Sequence, residues 1–233
     1  MMERKNKMWW IAAFTVAFVL LVDQWVKFYV KTHFAIGDQY DVTSWFKIHF
    51  VENEGMAFGW KLGPSGTWGK LVLSLFRIVA VFFIGRFIVR LIKTEATPGL
   101  VFCLSLIFAG AIGNILDSLY FGRIFSASTP FDIATLFPKG GGYANILHGK
   151  VVDMLYFPLF EGYLPKWLGG GYFTFFDPVF NIADASISVG VALMLLFHRS
   201  IFDNNKEEEL NLSENEESNI ALNNQESTEL PNA

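Results

Sequence analysis

The sequence predicts a mainly α membrane protein: four transmembrane helices with a small extracytoplasmic β-sheet formed by the loops. Three observations carry that prediction. Of 233 residues, 52% are hydrophobic and only 17% charged, and the mean hydropathy is +0.36, too apolar for a soluble domain of this length. Four apolar runs, at about 8–30, 70–92, 99–121 and 179–199, each approach the roughly 20 residues a helix needs to cross a bilayer core. Basic residues then gather at one end of every run: Arg4, Lys5 and Lys7 before the first, Arg86, Arg90 and Lys93 after the second, and Arg199 after the fourth. Positive charge in short loops marks the cytoplasmic side, so both termini are expected there and the two long loops, 31–69 and 122–178, on the other.

The first run follows its basic cluster with no small-residue cleavage site before its polar end, the pattern of a retained helix. That end carries Asp23 and Lys27, four residues apart and so on one helix face, acid before base, beside the interfacial aromatics Trp25, Phe28 and Tyr29. An anchoring ion pair and a site-lining pair both fit. In the first loop, Phe46, Ile48 and Phe50 alternate with Lys47 and His49, the period of a half-buried strand, and Asn53 and Gly55 follow as turn residues. The second run holds Arg77 about two turns in. Pro98 suits the start of the third helix, whose stretch 109–114 is rich in small residues that admit a neighbouring backbone closely, and Asn114 and Asp117 share a face at i, i+3. In the second loop, residues 150–157 are β-branched and aromatic, read as a strand presenting Asp153.

The fourth run contains Asp184 among small and apolar residues. A carboxylate inside a span costs roughly 2.5–3.5 kcal/mol on insertion scales, which makes it a functional-site hypothesis. It lies fifteen residues before Arg199, about 22 Å at 1.5 Å per residue. Asp23, Arg77, Asn114, Asp117 and Asp184 therefore converge, from four helices, on one depth near the outer surface. Asp153 can dip back to join them, because irregular backbone is tolerated at membrane depth when it lines a protein cavity. Two carboxylates sharing a site cannot both ionise cheaply, so the pair can hold one proton, as activation of a water for attack on a peptide bond requires.

Composition also excludes functions. Cys103 is the single cysteine, which rules out an intrachain disulfide and points to a buried small hydrophobe. The four histidines lack ligand spacing, so neither a metal nor a cofactor is expected. Residues 203–233 hold nine acidic residues and one lysine, which against −4 for the whole chain leaves the rest at +4; this tail is expected to be a disordered cytoplasmic appendage with nothing for nucleic acid, following a single domain over 1–202. A proton-coupled transporter and a non-catalytic membrane scaffold are the rival readings, although transporter sites tend to lie at the midplane between repeats.

At five places, in order, the chain resembles the bacterial lipoprotein signal peptidases (signal peptidase II): DQWVK at 23–27, NEGMAFG at 53–59, GAIGNILD at 110–117, GKVVDM at 149–154 and FNIAD at 180–184. The resemblance spans roughly residues 8–200 and implies a membrane aspartyl endopeptidase of the bacterial inner membrane. Such an enzyme cleaves prolipoproteins before a cysteine carrying diacylglycerol, and a single copy is expected to suffice. It implies Asp153 and Asp184 as the catalytic pair, with Asp23, Lys27, Asn53, Gly55, Gly110, Asn114, Asp117 and Asn181 shaping or supporting the site. Two departures stand out. The arginine that usually follows the aspartate of the third motif is Ser118 here, which leaves Arg77 to supply the charge, and an insertion of about 25 residues near 125–148 brings a rival aspartate, Asp132.

Overall fold

The computed structural model describes residues 2–54 and 67–197. Gly55 and the acidic tail lie outside the described residues. Helix α1 (Met2–His33) leads through strands β1 (Gln39–Asp41) and β2 (Lys47–Asn53) to α2 (Thr67–Lys93) and α3 (Pro98–Leu116). A π-helical turn at Asp117–Phe121 and the short α4 (Gly122–Ile124) extend α3. Strands β3 (Val151–Tyr156), β4 (Phe160–Tyr163), β5 (Tyr172–Phe175) and β6 (Val179–Phe180) precede α5 (Ile182–Leu196).

Among the described residues, three helical stretches are long and apolar enough to span a membrane: Met2–His33, Gly69–Lys93 and Pro98–Ile124. The fourth is shorter than the 179–199 span the sequence predicts. Val179 and Phe180 pair with Tyr156 and Leu155 of β3, Asn181 caps the helix, and α5 runs for only 15 described residues. Asp184 consequently lies in the first turn of α5 and not deep within a span. Pro98 does occupy the first turn of α3, after Thr97, where its missing N–H costs nothing. Large apolar side chains such as Phe14, Phe18, Phe76 and Phe82 point outward, as lipid-facing residues do.

The sheet runs β1-β2-β3-β6, all antiparallel. Its middle pair sets Val51 opposite Asp153 and Asn53 opposite Val151, with an irregularity between Ile48 and Val51. Bulges of this kind re-aim side chains, and beyond this one the strand continues through Asn53, which the sequence reading placed in a turn. Packing is divided between two larger clusters. One, around Met8, Ile92 and Val101, closes the end of the helices near the 94–97 turn; the other, around Val30, Phe50, Phe121, Phe125 and Met154, joins helices to sheet.

Close approach of α3 and α5 depends on glycine. A Cβ on Gly110 would come within 2.2 Å of the Ala183 carbonyl oxygen, and one on Gly190 within 2.7 Å of that of Cys103. Ser186 adds a bond from its hydroxyl to the Leu106 carbonyl at 3.1 Å. The small residues around Asp184 thus serve helix packing.

Candidate active site

Where the α1, α3 and α5 ends meet the sheet, a continuous set of polar groups is buried. Lys27 is its hub. The ammonium lies 2.9 Å from Asp23 Oδ2 and 2.8 Å from Asp117 Oδ2, and donates to Asn114 Oδ1 at 3.1 Å. All three donors of the ammonium are thereby used, which offsets burying a charge with no exposed surface at all. Gln24, which the sequence reading did not single out, stitches the acids together by donating to Asp117 Oδ1 at 2.9 Å and Asp23 Oδ2 at 3.1 Å. Asp117 opens the π turn that extends α3, a distortion that recurs at functional sites.

The start of α5 is tied to this hub through Asp23 and capped by its own Asn181. The Ala183 N–H donates to Asp23 Oδ1 at 2.9 Å, and the Asp184 N–H donates to the cap residue's Asn181 Oδ1 at 2.9 Å. Two orphan donors of the first turn are satisfied. A Cβ on Gly113 would lie 2.8 Å from Asp23 Oδ2, so that glycine makes room for the carboxylate doing the capping.

Two asparagines then bridge the two candidate catalytic acids. Asn181 Nδ2 donates to Asp153 Oδ1 at 2.6 Å and to Asn114 Oδ1 at 3.2 Å, and Asn114 Nδ2 donates to Asp184 Oδ1 at 2.7 Å. Asp153 is buried on β3. Its carboxyl is pushed up to about 7, first by burial and then by the neighbouring Asp184, against hydrogen bonds from Asn181 and Asn53 and the charge of Lys27. Asp184 is half-buried at the positive end of α5, a position that favours a carboxylate.

Arg77 is half-buried on α2 and interacts electrostatically with Asp184 foremost, then Asp117 and Asp153. Ser118, at the position of the usual arginine, is buried; its hydroxyl bonds back to the Asn114 carbonyl at 3.1 Å and its carbonyl accepts from the Gly149 N–H at 2.9 Å. Gly149 must be small, since a Cβ would sit 2.2 Å from the Asp117 carbonyl oxygen. The rival Asp132 is exposed in a turn closed by Thr129, whose hydroxyl donates to Asp132 Oδ2 at 3.0 Å; it is remote from Asp184 in bonding and plays no part in the network.

The insertion builds a second buried polar cluster, which the sequence did not foretell. Lys31 pairs with Glu52 and donates to Ser128 Oγ at 3.0 Å, and Lys150 meets Glu52 Oε2 at 3.2 Å. The Lys31 ammonium also sits 5.4 Å from the Phe125 ring centroid and 5.0 Å from that of Tyr143, within cation–π range. Burial pushes the Tyr143 hydroxyl up, and it accepts from the Lys150 N–H at 2.7 Å. Among the described residues no group of three or more His, Cys, Asp or Glu could hold a metal ion.

The fold and site define a helical membrane protein that gathers buried carboxylates beside a small sheet. Residues 15–200 match the family described as Signal peptidase (SPase) II, and the chain belongs to that family. It is 52% identical over 190 residues to a lipoprotein signal peptidase of Porphyromonas gingivalis, covering 80% of this chain and 81% of that one. To the lipoprotein signal peptidase of Amoebophilus asiaticus it is 35% identical, covering 78% and 74%. Two solved structures of bacterial membrane enzymes share the fold: one has a TM-score of 0.51 at 23% identity, covering 81% of this chain and 88% of that one; the other has 0.50 at 25%, covering 79% and 90%. Membership of a protease family sets the transporter and scaffold readings aside.

Proposed function

We propose that the protein is an aspartic endopeptidase that removes signal peptides from prolipoproteins, cutting before a cysteine already modified with diacylglycerol. The observation that carries this reading is the bridged pair: Asp153, protonated up to about pH 7, linked through Asn181 and Asn114 to Asp184. A water held between them loses a proton to the Asp184 carboxylate as its oxygen attacks the scissile carbonyl carbon. Protonated Asp153 donates to the carbonyl oxygen, which takes up the developing charge. As the C–N bond breaks, the proton on Asp184 passes to the leaving amine of the cysteine and the proton returns to Asp153, which restores the pair.

In this reading the supporting residues divide the labour. Lys27, with Asp23, Asp117 and Gln24, fixes the asparagine that holds Asp184. Asn181 sets the start of α5 and holds Asp153 at once, while Asn53 steadies Asp153 from β2. Arg77 supplies the positive charge that Ser118 cannot. The basic clusters support a reading with both termini in the cytoplasm and the pair near the outer face of the inner membrane, where a lipid-modified cysteine would present its bond. The sheet offers the extended substrate an edge, and a single copy is complete.

Purified protein reconstituted with a diacylglyceryl-modified prolipoprotein tests the reading. The wild type releases the signal peptide, and Asp153→Asn and Asp184→Asn each lose about 10²–10⁴-fold in rate, the range of general acid–base catalysis. An uncut substrate, or a variant of either aspartate that cuts at the normal rate, overturns it.

A further inference from the structure

Strands β4 and β5 form a two-stranded sheet of their own, separate from the four-stranded one. A lone hairpin is marginal in water unless something covers a face of it. The register fixes which face that is. Phe160 lies opposite Phe175 and Gly162 opposite Phe173, so three phenylalanines share one side, while Tyr163 and Tyr172, paired with each other, and Thr174 fall on the other. All three phenylalanines are exposed, and among the described residues no protein segment packs over them to form a core cluster.

The tip is built, not loose. The Leu164 N–H donates to the Gly171 carbonyl at 2.8 Å and the Gly169 N–H to that of Lys166 at 3.2 Å. Gly169 and Gly170 take positive φ of 102° and 66°, which a residue with a Cβ rarely adopts. That turn holds out Trp167, 82% exposed, next to Lys166. Aromatic rings with one cationic neighbour are what settles at the boundary between headgroups and acyl chains.

The hairpin is also continuous with the membrane-facing parts of the molecule. Stacked rings run from Trp45 through Phe157 to Phe180, at 6.0 and 5.6 Å, and Phe176 meets Phe180 edge-on at 6.1 Å. Six residues beyond β5, helix α5 begins, and on α1 the exposed Trp25 and Tyr29 mark the same end of the bundle. We propose that the β4–β5 hairpin is a lipid anchor, its phenylalanine face and Trp167 lying in the interface of the leaflet on the aspartate side. Because the hairpin joins the strand bearing Asp153 to the helix bearing Asp184, the anchor sets the height of both acids relative to the lipid. This last point rests on the peptidase reading; the anchoring does not.

The test uses the full chain in phosphatidylcholine–phosphatidylglycerol vesicles. Trp167→Cys is labelled with an environment-sensitive fluorophore, and Phe131→Cys, at the 94% exposed tip of the insertion, is the reference; the native Cys103 is buried. We expect the label at 167 to be quenched several-fold more strongly than that at 131 by a lipid carrying a spin label near its headgroup, and to be protected from aqueous iodide. Adding Phe173→Ser should reverse both effects. Equal iodide quenching at the two positions overturns the proposal, and so does protection that appears only as the protein-to-lipid ratio rises, which would assign the face to a second copy of the chain. Neither readout depends on catalysis, so a failed cleavage assay and a failed anchoring assay are distinguishable.

Discussion

Helix α1 buries two lysines on one face, one turn apart, and the surroundings of the two are opposite in charge. Lys27 sits between two carboxylates, Asp23 and Asp117, with Asp184 one asparagine away and Asp153 two. Lys31 shares the single carboxylate of Glu52 with Lys150, and the Ser128 hydroxyl and two aromatic rings make up the rest of its shell. One cluster therefore carries surplus negative charge and the other surplus positive charge. Surplus negative charge in a buried site is relieved by holding a proton, which acid–base chemistry needs. A surplus of positive charge against a single acid holds no such proton and instead cross-links segments: α1, β2 and the insertion. Two lysines of the same type and burial, on the same helix, thus differ in task because of the number of acids around each.

The sharpest way to break this contrast is to remove each cation in turn. Lys27→Met leaves Asp23 and Asp117 uncompensated, which costs about 3–5 kcal/mol for a broken buried pair. Cleavage should fall on the order of 10²–10³-fold, as when one electrostatic support of a transition state is lost. Lys31→Met leaves Glu52 still paired with Lys150, so the loss should be about 1–3 kcal/mol of stability with kcat nearly unchanged. Thermal unfolding and cleavage kinetics on both variants decide it; an equal fall in kcat would dissolve the distinction.

A smaller effect separates two arginines of α2. Arg77 faces the aspartates, whereas Arg86 is exposed toward the other end of the helix. Arg77→Ala should cost about ten- to a hundredfold in kcat/KM, matching about 1.5–3 kcal/mol for a contact to a charged group. Arg86→Ala should change it less than about twofold, the value of an exposed charge. Equal losses would remove Arg77 from the site.

The smallest effect is graded by pH. Asp153 keeps its proton up to about 7, so kcat/KM should hold up to neutrality and then fall by at most about tenfold per unit as the pair loses its shared proton. The sign also bears on stability. A carboxyl raised in the folded state stabilises the fold below its ordinary range and loses that contribution as pH climbs toward 7, so Asp153→Asn should unfold at a higher temperature than wild type at pH 8 and at a similar one at pH 4. A profile flat through pH 9 would mean that Asp153 does not carry the proton.

The parts legible in the sequence were those whose partners are near in the chain or whose pattern is periodic. Asp23 and Lys27 are one turn apart, and the strand around Asp153 announces itself by β-branched residues. Three of the four spans stand out by hydropathy alone. The fourth was overextended because Val179 and Phe180 are apolar enough to read as helix, while their pairing with β3 is a tertiary fact. Gln24 went unnoticed since a neutral residue beside an acid gives no pattern; its value lies in reaching Asp117, 93 positions away. Lys31 was hidden for the same reason, its partners Glu52 and Ser128 being 21 and 97 positions off. The small residues near Asp184 carry no pattern that reveals their task, and the 2.2 Å approach of a hypothetical Gly110 side chain to the Ala183 carbonyl shows that they serve packing.

The tie between the start of α5 and Asp23 has a consequence for how the molecule is made. Lys27, Asp23, Asp117 and Gln24 belong to α1 and to the extended α3, so their charges can be matched before the last helix leaves the ribosome. Asp184 arrives only with α5, and its asparagine bridge to Asp153 closes only when Ala183 docks on Asp23 and the cap residue Asn181 meets Asn114 and Asp153. A nascent chain that lacks α5 is thus a helix pair with compensated charges, and the bridge between the two proposed acids is made only once α5 has joined it.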